Sequence, residues 1–142
     1  MGEPDKVAGG DRLKLRLSVN CYDTQVATVA DLGHELMPFA SEQFREIWLE
    51  VEQGPALCAL LNGDLGWLMY LREDGDAGFS SRNPTFDGSK SNVIKYRLSN
   101  GQHDEYPTSW ALPKGEIIRA LEYFIEHQGR RAPFVNWHDD SA

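Results

Sequence analysis

Residues 56–71 read ALCALLNGDLGWLMYL. Two apolar runs flank a short polar stop. Ala56 to Leu61 has no alternation, which marks a strand covered on both faces rather than one with a wet side. Asn62-Gly63-Asp64 supplies the residues of a tight hairpin turn, because glycine and asparagine adopt the left-handed backbone such a turn requires. Gly66 to Leu71 is the return strand. So short a connection makes the pair antiparallel. The fold therefore centres on an antiparallel hairpin buried from both sides.

Working outward toward the N-terminus, Phe44 to Glu52 alternates. Ile47, Leu49 and Val51 face inward; Glu46, Trp48, Glu50 and Glu52 face outward. Gln53-Gly54-Pro55 is the turn into the central strand. Arg12 to Val19 alternates too, with Leu13, Leu15, Leu17 and Val19 on one face and Arg12, Lys14, Arg16 and Ser18 on a wet basic face. Between these strands, Asp23-Thr24 offers turn or cap chemistry. Thr28 to Met37 reads as a short helix with Val29, Leu32 and Leu36 on one stripe, a Thr28/Asp31 cap at its start and Pro38 at its end.

Toward the C-terminus, Phe79 to Arg82 is a short strand, followed by a loop opened by Asn83-Pro84 and Asp87-Gly88. Asn92 to Leu98 alternates with Ile94, Tyr96 and Leu98 inward, and Asn100-Gly101 turns the chain. The segment before the last helix is read as an irregular surface loop. The helix itself starts at Pro113 and carries Ile117, Ala120, Leu121, Phe124 and Ile125 on one stripe. Glu116 suits its positive end and Gly129 its cap, with Arg130 and Arg131 placed to meet the last carbonyls. Phe134 to His138 is a final strand, and Phe124 and Trp137 are assigned to the core. The expected fold is α+β: a mainly antiparallel sheet of about five to seven strands, with two principal helices packed on it. Residues 1–11 are expected to be a disordered N-terminal segment and 12–142 a single α+β domain.

With 142 residues, 41% of them hydrophobic, the chain buries enough surface to fold without a disulfide or metal. Cys21 and Cys58 belong to no Cys-x-x-Cys pair, which excludes the usual zinc and redox motifs. No apolar run reaches the roughly 20 residues needed to cross a bilayer, and the first residues lack the apolar core of a signal peptide, so a cytoplasmic location is expected. The formal net charge is -8, from 22 acidic and 14 basic side chains. That opposes direct binding to nucleic acid or an anionic membrane and suits a basic protein partner.

Catalytic and metal motifs fail on their own spacing. A calcium loop counted from Asp74 would need an oxygen ligand at Gly78 and a glutamate at Thr85. Gly78-Phe79-Ser80-Ser81-Arg82 has arginine where a nucleophile turn needs its second glycine. His103-Asp104-Glu105 matches half of a zinc-deaminase signature, but no cysteine follows position 58. Phosphate loops of the Gly-rich kinds are absent.

Several segments occur in a recognisable order: GDLGWLMYL (63–71), GFSSR (78–82), EYP (105–107), PKGEIIRALEYF (113–124) and GRRAPFVNW (129–137). Together they resemble the Imm-one immunity protein family of bacterial polymorphic toxin systems. The resemblance spans roughly residues 45–138, with Arg131-Ala132 lengthening the turn where the family often has arginine directly before proline. It implies a non-catalytic inhibitor without cofactor or metal, binding a cognate toxin domain that is often a nucleic-acid deaminase, though other toxin classes occur; the chain's acidity suits a basic, nucleic-acid-acting one. It does not say which surface binds. Chemistry selects two patches. One is the turn bearing Glu73, Asp74 and Asp76, with Trp67, Tyr70, Phe79 and Arg82 near it; the other is Asp104, Glu105, Tyr106 and Trp110. Trp67 and Tyr70 point to opposite faces of their strand, so only one can share an outer surface. The competing reading is a small-molecule-binding regulatory α+β domain, which a large apolar pocket would favour. An enzyme using scattered carboxylates is a third class.

Overall fold

The computed structural model describes residues 13–88 and 92–141. The expected disordered segment 1–11 lies outside the described residues. The strands, in chain order, are β1 (Leu15–Val19), β2 (Tyr22–Val26), β3 (Phe44–Glu50), β4 (Ala56–Asn62), β5 (Leu65–Leu71), β6 (Phe79–Arg82), β7 (Val93–Arg97), β8 (His103–Pro107), β9 (Leu112–Pro113) and β10 (Asn136–Asp139). Two α-helices, α1 (Val29–Leu36) and α2 (Lys114–Glu126), complete the fold. The main sheet runs β10-β6-β5-β4-β3-β1-β2, with the two-residue β9 also paired to β5, and every pairing is antiparallel.

The sheet thus has eight strands, more than the five to seven expected, and β7 and β8 form a separate two-stranded sheet. Three strands were not expected: β2, β8 and the two-residue β9, and the first two are polar. β2 is Tyr-Asp-Thr-Gln-Val at the sheet's edge, with one buried side chain, Val26, so it carries no alternating signal. β8 is His-Asp-Glu-Tyr-Pro and pairs with β7 from Val93–Pro107 to Arg97–His103; the segment expected to be an irregular loop is a strand.

β4 and β5 are central as their composition requires. Their hairpin closes between Asn62 and Leu65, with Gly63 at φ 59°. On one face lie both helices. Leu15, Leu17, Ile47, Leu49, Leu57, Leu61 and Leu68 meet Leu32 and the α2 stripe of Ile117, Ala120, Leu121, Phe124 and Ile125, all buried. Full burial of one such aliphatic or aromatic side chain is worth about 1.5–3 kcal/mol. Gly66 sets the approach of α2: a Cβ there would stand 2.8 Å from both Ile117 Cγ1 and the Leu60 carbonyl oxygen.

Local chemistry sets the helix ends. The Asp31 amide donates to Thr28 Oγ1 at 3.0 Å while Asp31 Oδ2 accepts from the Thr28 amide at 3.1 Å, a reciprocal cap. α2 ends where Gln128 and Gly129 take φ of 59° and 94° and the Gly129 amide donates to the Phe124 carbonyl at 2.8 Å. Arg131 does not meet those carbonyls; its guanidinium lies 3.8 Å over the Phe79 ring.

One edge of β5 is shared by two strands distant in sequence. β9 pairs at Leu65 and Gly66, and β6 pairs at Met69 and Tyr70. The Leu68 amide falls between them and donates to the buried Ser81 hydroxyl at 2.9 Å. A side chain therefore replaces one rung of the ladder.

Candidate functional site

The second face of the sheet is only partly covered. The β7–β8 hairpin lays Tyr96, with Ile94, Leu98 and Tyr106, against Cys58, Leu60, Trp67 and Met69. Trp67 stacks on Tyr106 at 4.4 Å, Tyr106 on Trp110 at 5.9 Å, and the Arg82 guanidinium caps Trp110 at 3.6 Å. Arg82 is held there by Nη1, which donates to Ser80 Oγ and to the Ser81 carbonyl, each at 2.9 Å. Four of the residues singled out from sequence are thereby brought together, but as an interlayer stack. Trp67 is 6% exposed; Tyr106, Trp110 and Arg82 are half-buried. Burial raises the Tyr106 phenol to about 12, with the nearby Asp104 carboxylate adding to the shift. Burial likewise pushes the Cys58 thiol well up, which keeps it protonated and inert. Glu105 stands exposed on β8, and Asp104 is half-buried beside the Tyr106 hydroxyl.

Beyond the hairpin the face is open. One cross-strand row, Leu71–Ala56–Glu50–Arg16–Gln25, runs over five strands. It floors a recess of ≈ 860 Å³ whose rim adds Lys14, Glu52, Glu73 and Asp74, with Trp48 toward the hairpin. Arg16 spans the floor, reaching Asp23 at 2.9 Å and Glu50 at 3.2 Å. Those contacts raise the guanidinium pKa and lower that of Asp23, chiefly through the Arg16–Asp23 hydrogen bond. Trp48 donates from Nε1 to Glu46 Oε2 at 2.9 Å, which fixes its ring. Among the described residues Glu52, Glu73 and Asp74 make no ion pair.

The acidic turn therefore divides. Glu73 and Asp74 project on the recess rim, both exposed. Asp76 turns inward, its side chain 9% exposed. It accepts from the Arg72 amide at 2.9 Å and from Arg72 Nε and Nη2 at 2.8 Å each. The Arg72 hydrogen bonds hold its carboxyl well below the usual carboxylate range. Asp76 is a clamp for the turn, so only two of the three carboxylates expected to project do so.

Tyr70 and Phe79 lie on the helix side. Tyr70 is 8% exposed and donates its hydroxyl to the Gly129 carbonyl at 2.7 Å, tying β5 to the end of α2. Phe79 is half-buried between Arg72 at 5.0 Å and Arg131 at 3.8 Å. The residues chosen from sequence thus scatter: Glu73 and Asp74 on the rim, Trp67, Arg82, Tyr106 and Trp110 in the interlayer stack, Tyr70 and Phe79 in the helix-side core, Asp76 as the turn's clamp, and Asp104 and Glu105 on β8. Sequence reading missed the rest of the recess. Its one local signal was Trp48, an aromatic between Glu46 and Glu50 on a polar strand face.

Among the described residues no group of three or more His, Cys, Asp or Glu side chains has metal-binding geometry. Both cysteines are free, Cys21 exposed and Cys58 buried. Ser80, the first serine of the strand once considered for a nucleophile, is buried and donates to Asp140 Oδ1 at 3.1 Å. His138 Nε2 is 3.7 Å from that same oxygen, so the carboxylate stands between serine and histidine. The model of the family described as Immunity protein Imm1 matches residues 18–139. No curated protein matches the chain.

Proposed function

The chain belongs to the Imm1 immunity protein family, and from that premise we propose that it neutralises a cognate bacterial toxin by forming a stoichiometric complex with it. Family membership over most of the chain carries this reading. The partner's chemistry is inferred from charge. An acidic inhibitor with carboxylates on an open sheet face that have no ion pair among the described residues suits a toxin whose substrate groove is basic, as a nucleic-acid-acting enzyme such as a deaminase requires. Opposite charge also speeds encounter, which matters for an inhibitor that must outrun a lethal enzyme.

Inhibition of this kind needs no bond-making group, cofactor or metal in the inhibitor. The proposed contacts are Glu73 and Asp74 on the recess rim, with Asp104 and Glu105 on β8 as a second acidic patch. A standard interface would bury ~800 Å² on this side. The proposed site of action is the cytoplasm, where nucleic acid is the toxin's target; among the described residues no helix is long and apolar enough to cross a membrane.

Co-expression with the toxin domain of the neighbouring reading frame tests the reading. The expected result is rescued growth and a 1:1 complex on a sizing column. A chain that neither binds that toxin nor restores growth overturns it.

A further inference from the structure

The recess has a polar rim with an asymmetry in how its charges are used. Arg16, on the floor, is shared between Asp23 and Glu50, and Lys14 is a second cation on the rim. Glu52, on the β3–β4 connection, and Glu73 and Asp74, on the β5–β6 connection, have no ion pair among the described residues. Carboxylates from two turns brought to one concave surface repel each other, and a cation placed among them is attracted by all three. A second copy of this chain, at net charge -8, is repelled. Trp48 adds a half-buried aromatic ring to the same surface, its edge fixed by Glu46.

A cation whose donors fork between carboxylates of two turns while its apolar stem covers an aromatic ring is a guanidinium; an ammonium is a point charge without that fork. We infer that the recess is the seat of an arginine side chain presented by the toxin, its stem over Trp48 and its guanidinium among Glu52, Glu73 and Asp74. The identity of the presenting partner rests on the immunity reading. The chemistry of the seat does not.

Two measurements keep these separate. In the first, the full chain is titrated with a hexa-arginine peptide at low salt and followed by amide and indole NMR shifts. The Trp48 indole and the amides of residues 50–54 and 72–76 should move together, with residues 103–106 unmoved. Absent shifts, or shifts spread equally over both acidic patches, overturn the seat. In the second, Glu52→Gln, Glu73→Gln and Asp74→Asn are combined, and the Kd for the toxin domain is measured. The loss expected from emptying a central charged anchor is about 100-fold, with the thermal midpoint held, whereas Glu126→Gln, exposed at the end of α2 on the opposite side of the sheet, should cost less than about threefold. A combined loss under about threefold overturns the seat while leaving neutralisation standing. Peptide binding at Trp48 in a chain that fails to rescue cells upholds the seat and overturns the immunity reading.

Discussion

Tyr70 and Tyr96 pack against opposite faces of the same sheet and are almost equally hidden, at 8% and 1% exposure. Their hydroxyls fare differently. That of Tyr70 donates to the Gly129 carbonyl at 2.7 Å; that of Tyr96 has no partner among the described residues, nor has Trp67 Nε1 beside it. The contrast extends to the layers themselves. Twenty buried apolar side chains form the helix-side cluster and four the hairpin-side cluster, among the described residues. The helix face carries the stability of the fold. The hairpin face is thinly covered, imperfectly satisfied and open along one end, where the recess lies. The proposed binding surface lies on the face that contributes less to holding the chain together.

The comparison breaks first at its heaviest point. Phe124→Ala removes a fully buried ring from the helix side, and a loss of about 3–5 kcal/mol is expected in urea unfolding. Next is the side-chain rung of the ladder. Ser81→Ala leaves the Leu68 amide buried without an acceptor, so a loss of about 1–3 kcal/mol is expected, and amide exchange at Leu68 should rise above the rate set by global unfolding. The sharpest comparison uses the two tyrosines. Tyr70→Phe should cost about 1–2 kcal/mol, since it strips a buried carbonyl of its donor. Tyr96→Phe removes a hydroxyl that bonds to nothing and should be neutral or stabilising by up to about 1 kcal/mol. Equal losses for the pair would show that the two layers are equally well satisfied and would end the contrast.

The smallest effect concerns acid. Arg72 depresses the folded-state pKa of Asp76 below its unfolded value of about 3.9. The ionised clamp therefore stabilises fully above that unfolded value, and its contribution fades as pH falls toward the folded one. Asp76→Asn should lower the thermal midpoint near neutral pH, with the gap from wild type narrowing below about pH 4. A gap that stays constant into acid would mean that Arg72 does not distinguish carboxylate from amide.

How much of this was legible follows from where each element buries its side chains. The α2 stripe and the β4–β5 hairpin declare themselves because one period of apolar residues serves one buried face. β2 and β8 do not, because an edge or outer strand is held by its backbone ladder and packs only one or two side chains inward, Val26 in β2 and Tyr106 in β8, too few to set a period. Without β8 the hairpin layer is invisible, so Trp67, Tyr106 and Trp110 read as surface anchors when they are an interlayer stack. Glu73 and Asp74 were found because a turn between strands projects its side chains. Asp76 was misread because its bond to Arg72 depends on the turn's closed shape. Trp48 and Glu52 belong to the recess only once β1, β3, β4 and β5 are in register, which no local pattern encodes.

The two connections that rim the recess have one more consequence. Residues 52–54 and 72–78 give no side chain to either buried cluster. Substitution at Glu52, Glu73 or Asp74 therefore leaves the scaffold's packing untouched. If the rim is the contact surface proposed above, a lineage carrying this fold can exchange one rim residue at a time as its adversary drifts while staying folded at every step.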